Sequence, residues 1–287
     1  MIYISTAGTK NQAAWKSSLQ MLEHGIKNVE LSGGLFDEDQ FSHLKRLKNQ
    51  INFQLHNYFP PPKKPFVFNL ASLSPEVAQR SLDHVETAMQ YSLELNCSRY
   101  GFHAGFLFEP EISELGKQIT NRALYNRYEA KSIFLERVNL LAERASNLGI
   151  SLLIENNVLS LSNFQEFNCN PFLMVDAEEC LDVMNQTPPN VSILLDVAHL
   201  KVSSESLQFD PISFFKICHE WISAYHLSDN DGLRDCNDPI SKKSWFWPYL
   251  NCDLSYYSLE VYGLSVSQLY EQHNIANILI NENISNA

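Results

Sequence analysis

The chain has 287 residues and a mass of 32.9 kDa, with 45% hydrophobic and 19% charged residues, a balance that excludes a disordered or low-complexity chain apart from the tail NENISNA at 281–287. Its length allows roughly 75% of the unfolded surface to be buried, enough for one large domain. The formal charge of −12 and pI near 5.2 argue against a polyanionic partner, so no nucleic acid is expected. With no basic leader and no run of roughly 18 apolar residues, neither a membrane span nor a membrane partner is expected, and the location expected is cytoplasmic.

In chain order, short apolar runs suited to buried strands fall at 2–5 (IYIS), 28–32 (NVELS), 53–57 (FQLHN), 99–104 (RYGFHA), 152–156 (LLIEN), 193–197 (ILLDV), 223–228 (SAYHLS) and 257–261 (YSLEV). Between them, apolar residues recur with helical period over 11–24, 37–49, 75–95, 125–147, 176–185 and 266–280. Such alternation predicts a parallel sheet. Ser74 stands where it can cap a helix with Pro75 at its first position, and Gly25 and Gly149 stand where helices end in a left-handed residue.

The segments that follow strands are long, at 58–73, 105–124, 157–175 and 229–255, whereas helix-to-strand links span only a few residues. Eight parallel strands with elaborated loops at one end predict an α/β fold, a (β/α)8 TIM barrel in a single domain over 1–287, with its site at the carboxyl ends of the strands. An open doubly wound sheet would carry a Gly-rich phosphate loop after the first strand, and STAGTKN at 5–11 has one glycine.

Near the strand ends stand Glu30, His56, His103, Glu155, Asp196 with His199 three residues on, His226 and Glu260. A charged side chain inside an apolar strand is costly unless it is paired or bound to a metal. One such histidine is ordinarily a satisfied core residue; four at the mouth of one barrel, mixed with carboxylates, make a ligand set for zinc, manganese, cobalt or iron rather than magnesium alone. The six cysteines (97, 169, 180, 218, 236 and 252) form no C-x-x-C pair, so thiolates contribute no metal site.

Other features read as structural. SGG at 32–34 suits a tight turn. YFPPPKKPF at 58–66 reads as a rigid loop wall, with Phe59 or Phe66 placed to cover a substrate. SWFWPY at 244–249 reads as packing against the barrel or lining its pocket. His24, His43, His84, His219 and His273 stand away from the strand ends and are read as exposed or helix-packed rather than as ligands.

Through VELSGG, LHNYFPPP, YGFHAGF, LLIENN, LLDVAHLK, HLSDNDGLRD and SLEVYG, nearly the whole chain resembles the xylose-isomerase-like (β/α)8 superfamily. This group includes sugar isomerases and epimerases, related dehydratases and metal-dependent apurinic/apyrimidinic endonucleases. The resemblance to the epimerase branch implies one divalent metal held by Glu155, Asp196, His226 and Glu260, with His199 on a substrate oxygen and Arg234 beside it. Glu30, His56, His103 and Asp235 are then further expected substrate contacts. The resemblance to the endonuclease branch implies a first zinc site at His56, His103 and Glu155 and a second at Glu155, Asp196, His226 and Glu260. A third site would need His199, Glu260 and a D-x-H pair, but 235–237 read DCN, so Asn237 stands where a histidine is expected.

The activity expected is isomerisation or epimerisation of a small carbohydrate or its phosphate through an enediolate. Glu155 and Glu260 exchange the α-proton, His199 steadies the oxyanion, and a divalent ion (zinc, manganese or cobalt) acts as Lewis acid. The alternatives are metal-dependent phosphoester hydrolysis and a ligand-binding barrel without turnover. A homo-oligomer is compatible with all three.

Overall fold

The computed structural model describes residues 1–9 and 11–286; Lys10 and Ala287 lie outside the described residues. The strands are β1 (Ile2–Ser5), β2 (Asn28–Ser32), β3 (Asn52–His56), β4 (Arg99–His103), β5 (Ser151–Glu155), β6 (Val191–Asp196), β7 (Ile222–Leu227) and β8 (Tyr257–Leu259). They pair in sequence order, all parallel, and β8 closes on β1. This is the expected (β/α)8 barrel. Strand bounds differ from the expected ones by a residue or two, apart from β1 and β2, which coincide.

The described helices are α1 (Ala14–Glu23), α2 (Gln40–Leu47), α3 (Pro75–Glu94), α4 (Arg127–Asn147), α5 (Leu161–Phe167), α6 (Ala177–Met184), α7 (Val197–Leu207), α8 (Ile212–Ile217) and α9 (Val266–Asn286). The helical period in the sequence did not point to α5, α7 or α8. For α7 the reason is burial: Val197, Ala198, His199, Leu200, Val202, Ser203, Ser204 and Ser206 are all buried, leaving no polar face to give an amphipathic pattern. Its start is set by Asp196, whose Oδ1 accepts the Ala198 and His199 amides at 2.7 Å each.

Gly25 and Gly149 take φ of 83° and 68°, as helix-terminating residues should. Ser74 occupies the N-cap of α3 without a side-chain cap bond; Ser72 Oγ instead accepts the Ser74 amide at 3.0 Å.

Alternation along the strands divides the side chains between two environments. Val29 and Leu31, Phe53 and Leu55, Tyr100 and Phe102, Leu152 and Ile154, Ile193 and Leu195, and Tyr225 and Leu227 join the large apolar core that includes the helices. Residues of the opposite parity face the lumen, where Tyr3, Leu153, Leu194, Ala224 and Tyr256 form a small cluster of their own. Glu30, His56, His103, Glu155, Asp196, His226 and Glu260 share that inward parity.

Phe246 and Trp247 are buried in the main core, as expected for SWFWPY. Phe59 is fully buried against Tyr91, and Phe66 lies under the Arg80 guanidinium at 4.3 Å. Burial therefore gives Phe59 a packing role instead of a place over the substrate, while Phe66 is partly buried. Among the described residues no helix is long and apolar enough to cross a membrane.

Candidate metal centre at the barrel mouth

Glu155, at the end of β5, is the hub of the site. Its Oε1 lies 3.1 Å from His226 Nδ1 and 3.5 Å from His199 Nδ1, and its Oε2 lies 2.7 Å from His56 Nε2 and 3.2 Å from His103 Nδ1. His226 Nδ1 also lies 2.9 Å from Glu260 Oε2 and 3.8 Å from Asp196 Oδ2. Strand register brings these groups level: His103 pairs with Glu155, and Asp196 with His226.

His56 is held by its surroundings. Its neighbour Asn57, at φ 41°, has a carbonyl that receives His84 Nε2–H at 2.8 Å and Tyr100 O–H at 2.7 Å. A Cβ at Gly101 would come within 2.8 Å of His56 Cδ2, so the absence of a side chain there lets His56 reach Glu155. His84 thus bonds the backbone beside His56, a contact that its place on a helix did not reveal.

Four buried atoms, His56 Nε2, His103 Nδ1, Glu155 Oε2 and Asp196 Oδ2, make no hydrogen bond. The first three nevertheless lie within 2.7–3.2 Å of a partner in the cluster. Buried polar atoms this close yet without a hydrogen bond are unsatisfied by the protein alone, and a shared cation would satisfy them. Glu155, Asp196, His226 and Glu260 bring ligand atoms within 4.8 Å of one another, as do His56, His103 and Glu155, and as do Glu30, His56, His226 and Glu260. These residues fit a divalent ion.

The electrostatics are those of a compact set of opposed charges. Burial opposes ionisation of Glu155, but His103, His56 and His226 hold its pKa well below the usual carboxylate range. Burial, with Glu155 and Asp235, pushes Asp196 up to about 7 against the pull of His199 and His226. Burial alone would favour neutral His226 and His199. Glu30 and Glu155 instead raise the former well above its ordinary value, and Asp196 and Asp235 raise the latter. Ligation requires neutral imidazole, so loading an ion would displace protons here.

His199 has Nδ1 2.9 Å from the Asn156 carbonyl and Nε2 3.3 Å from Asp235 Oδ2. Asp235 thus joins the site. His103 and Asp235, with side chains 27% and 22% exposed, mark the opening. Two expected contacts lie elsewhere. Arg234 has a side chain 78% exposed and 4.0 Å from Asp231, because Asp231 Oδ1 accepts the Leu233 and Arg234 amides and turns the chain outward. Glu30 is fully buried beneath the site, with Oε2 2.8 Å from His226 Nε2 and also bonded to Tyr256 O–H.

Asn237, where a third site would need a histidine, donates Nδ2–H to the Glu260 carbonyl at 3.0 Å. Sequence reasoning passed over Tyr256 and Tyr262, whose hydroxyl donates to Glu260 Oε1 at 2.9 Å. Both share the inward parity of Glu260, the signal that could have found them.

No curated protein matches the chain at a significant level. Among solved structures, a D-tagatose 3-epimerase-like protein superposes with a TM-score of 0.74 at 16% identity over 99% of both chains. D-psicose 3-epimerase with D-tagatose from Clostridium cellulolyticum H10 gives 0.64 at 14%, over 98% of this chain and 94% of that one. An AP endonuclease of family 2 from Brucella melitensis gives 0.63 at 17%, over 93% and 96%. A family model for the xylose isomerase-like TIM barrel matches residues 20–243, and the chain belongs to that family.

Proposed function

We propose that this chain is a divalent-metal-dependent isomerase or epimerase that shifts a proton α to the carbonyl of a small sugar or sugar phosphate through an enediolate. The observation that carries this reading is the approach of two carboxylates to one imidazole nitrogen: Glu155 at 3.1 Å and Glu260 at 2.9 Å from His226 Nδ1, the first ending β5 and the second following β8. Similarity to two structures named as ketose 3-epimerases or as epimerase-like supports it.

Glu155, Asp196, His226 and Glu260 would hold the ion, which when bound supplies a Lewis acid for the carbonyl and adjacent hydroxyl. One glutamate removes the α-proton as a carboxylate, and the other, protonated, returns a proton to another carbon or to the opposite face. His199, fixed through Asn156, donates an N–H to the developing oxyanion. Asp235 and His103, the partly exposed groups, contact substrate hydroxyls. Arg234 and Glu30 leave the set of substrate contacts, the first by exposure and the second by depth.

The test is solvent-deuterium uptake at the α-carbon of a panel of ketoses and their phosphates, followed by proton NMR with zinc, manganese or cobalt supplied. Uptake should fall by at least about 100-fold in Glu155→Gln and in Glu260→Gln, with metal content and the far-UV spectrum recorded for each. Uptake that persists in either variant overturns its acid/base role.

A second reading, metal-dependent hydrolysis of a phosphoester, is favoured by one observation. Glu155 belongs to two ligand groups, sharing Oε2 with His56 and His103 and Oε1 with His226. His56, His103 and Glu155 would then hold one ion and Glu155, Asp196, His226 and Glu260 another, a pair that would supply stabilisation of both the attacking and the leaving oxygen. One ion per chain with deuterium uptake supports the isomerase; two ions with phosphate release support the hydrolase.

A further inference from the structure

The Glu30–His226 contact spans the barrel. β2 neighbours only β1 and β3, and β7 only β6 and β8, so the bond crosses the lumen rather than linking adjacent strands. Both side chains are fully buried, and the same interior holds Leu153, Leu194 and Ala224. Apolar residues therefore suffice to fill this space. A buried ion pair is weak evidence for stability, since well-packed apolar replacements are often as good. Its placement calls for another account.

The two ring nitrogens of His226 face different partners. Nδ1 meets Glu155, Glu260 and Asp196 at 3.1, 2.9 and 3.8 Å, whereas Nε2 meets Glu30 at 2.8 Å and no other carboxylate among the described residues. Glu30 is itself fixed by Tyr256, whose hydroxyl donates to the same Oε2. The Tyr256 ring stands edge-on to Tyr3 at 5.0 Å and beneath Arg99.

We infer that Glu30, braced by Tyr256, is a positioning residue: it accepts the Nε2–H of His226, fixes the ring against a flip, and leaves the Nδ1 lone pair directed at the Glu155–Asp196–Glu260 cluster. A carboxylate behind a histidine ligand fixes its tautomer and raises its basicity. This inference rests on the reading that an ion sits among those carboxylates, and it gives Glu30 a part in holding that ion without touching it.

The experiment measures zinc affinity by chelator competition on the parent chain, Glu30→Gln and Tyr256→Phe. The amide nearly keeps the shape of Glu30 but removes its charge, so affinity should fall about 10–100-fold, with a smaller loss for Tyr256→Phe, which removes only the brace. Affinity unchanged in both variants overturns the inference while leaving the ion reading intact. A parent chain that takes up no zinc overturns both. Long-range proton–nitrogen correlation on the zinc-loaded parent supplies a readout that survives a variant failing to fold. Zinc on Nδ1 with a protonated Nε2 is expected, and zinc on Nε2 overturns the assignment.

Discussion

Asp196→Asn should act in opposite directions on the metal-free and metal-loaded protein. The carboxyl is fully buried. Its Oδ1 caps α7 through two amides at 2.7 Å, and its Oδ2 makes no hydrogen bond. Asparagine caps a helix about as well as aspartate, so the substitution keeps the cap and removes the charge. Burial, together with Glu155 and Asp235, lifts the folded-state pKa from 3.8 to about 7. The native state therefore holds a proton over the interval in which the unfolded chain has lost it. The Asp196 contribution to metal-free stability should fall as pH rises from about 4 to 7, by an amount on the order of 2–4 kcal/mol, and stay lower above pH 7.

Urea denaturation in a chelator at pH 8 should accordingly show Asp196→Asn more stable than the parent, with the difference shrinking toward pH 4. With zinc present the order should reverse, because Oδ2 becomes a donor amide that no longer ligates. A variant less stable than the parent in chelator at pH 8 would refute the argument. It would mean that the ionised carboxylate is net stabilising where it sits.

Gly101→Ala places a Cβ 2.8 Å from His56 Cδ2 and 3.3 Å from a Leu194 methyl; it should cost about 1–3 kcal/mol in denaturant titrations. It should also reduce any second equivalent of bound metal, read by elemental analysis. Chelation of a fully loaded sample, with free zinc about 1,000-fold above Kd, should remove roughly 4 kcal/mol. That loss lowers Tm by about 7 °C in a calorimetric scan. With 21 basic against 33 acidic residues, and Asn237 engaged with the Glu260 backbone, abasic-site duplex should remain un-nicked at about 150 mM salt with zinc or manganese supplied.

The barrel was legible because eight apolar runs alternate with helical periods, and closure was read from their number, the long loops at one end and the single glycine in STAGTKN. The site was legible in part because period-2 alternation assigns each strand residue to a face. Parity places Glu155, Asp196, His226 and Glu260 inward together without reference to distant contacts. Depth is another matter, since it depends on the stagger between strands. Glu30 pairs with Gln54, and Ser32 with His56. Glu30 therefore sits one inward step below His56, out of reach of the mouth and level with the far side of His226. Stagger is a property of pairing and is not written in any one strand. In the same way, no periodicity governs the segment after β7, where a turn at Asp231 sends Arg234 to solvent while Asp235 reaches His199.

Asn237 joins these two lessons. The sequence shows only that DCN departs from a D-x-H pair. The structure gives Asn237 a φ of 49°, a bond from Nδ2 to the Glu260 carbonyl, and a carbonyl that receives the Tyr262 amide at 2.9 Å. Asparagine tolerates that left-handed backbone, and its short amide suits a local backbone bond. Histidine at 237 would forfeit the side-chain bond to the Glu260 carbonyl, one of these two ties between the loop after β7 and the end of β8. Asn237 thus has a structural bond in place of a ligand role, and Asn237→His alone should leave the number of bound ions unchanged, as elemental analysis of the metal-loaded protein would read.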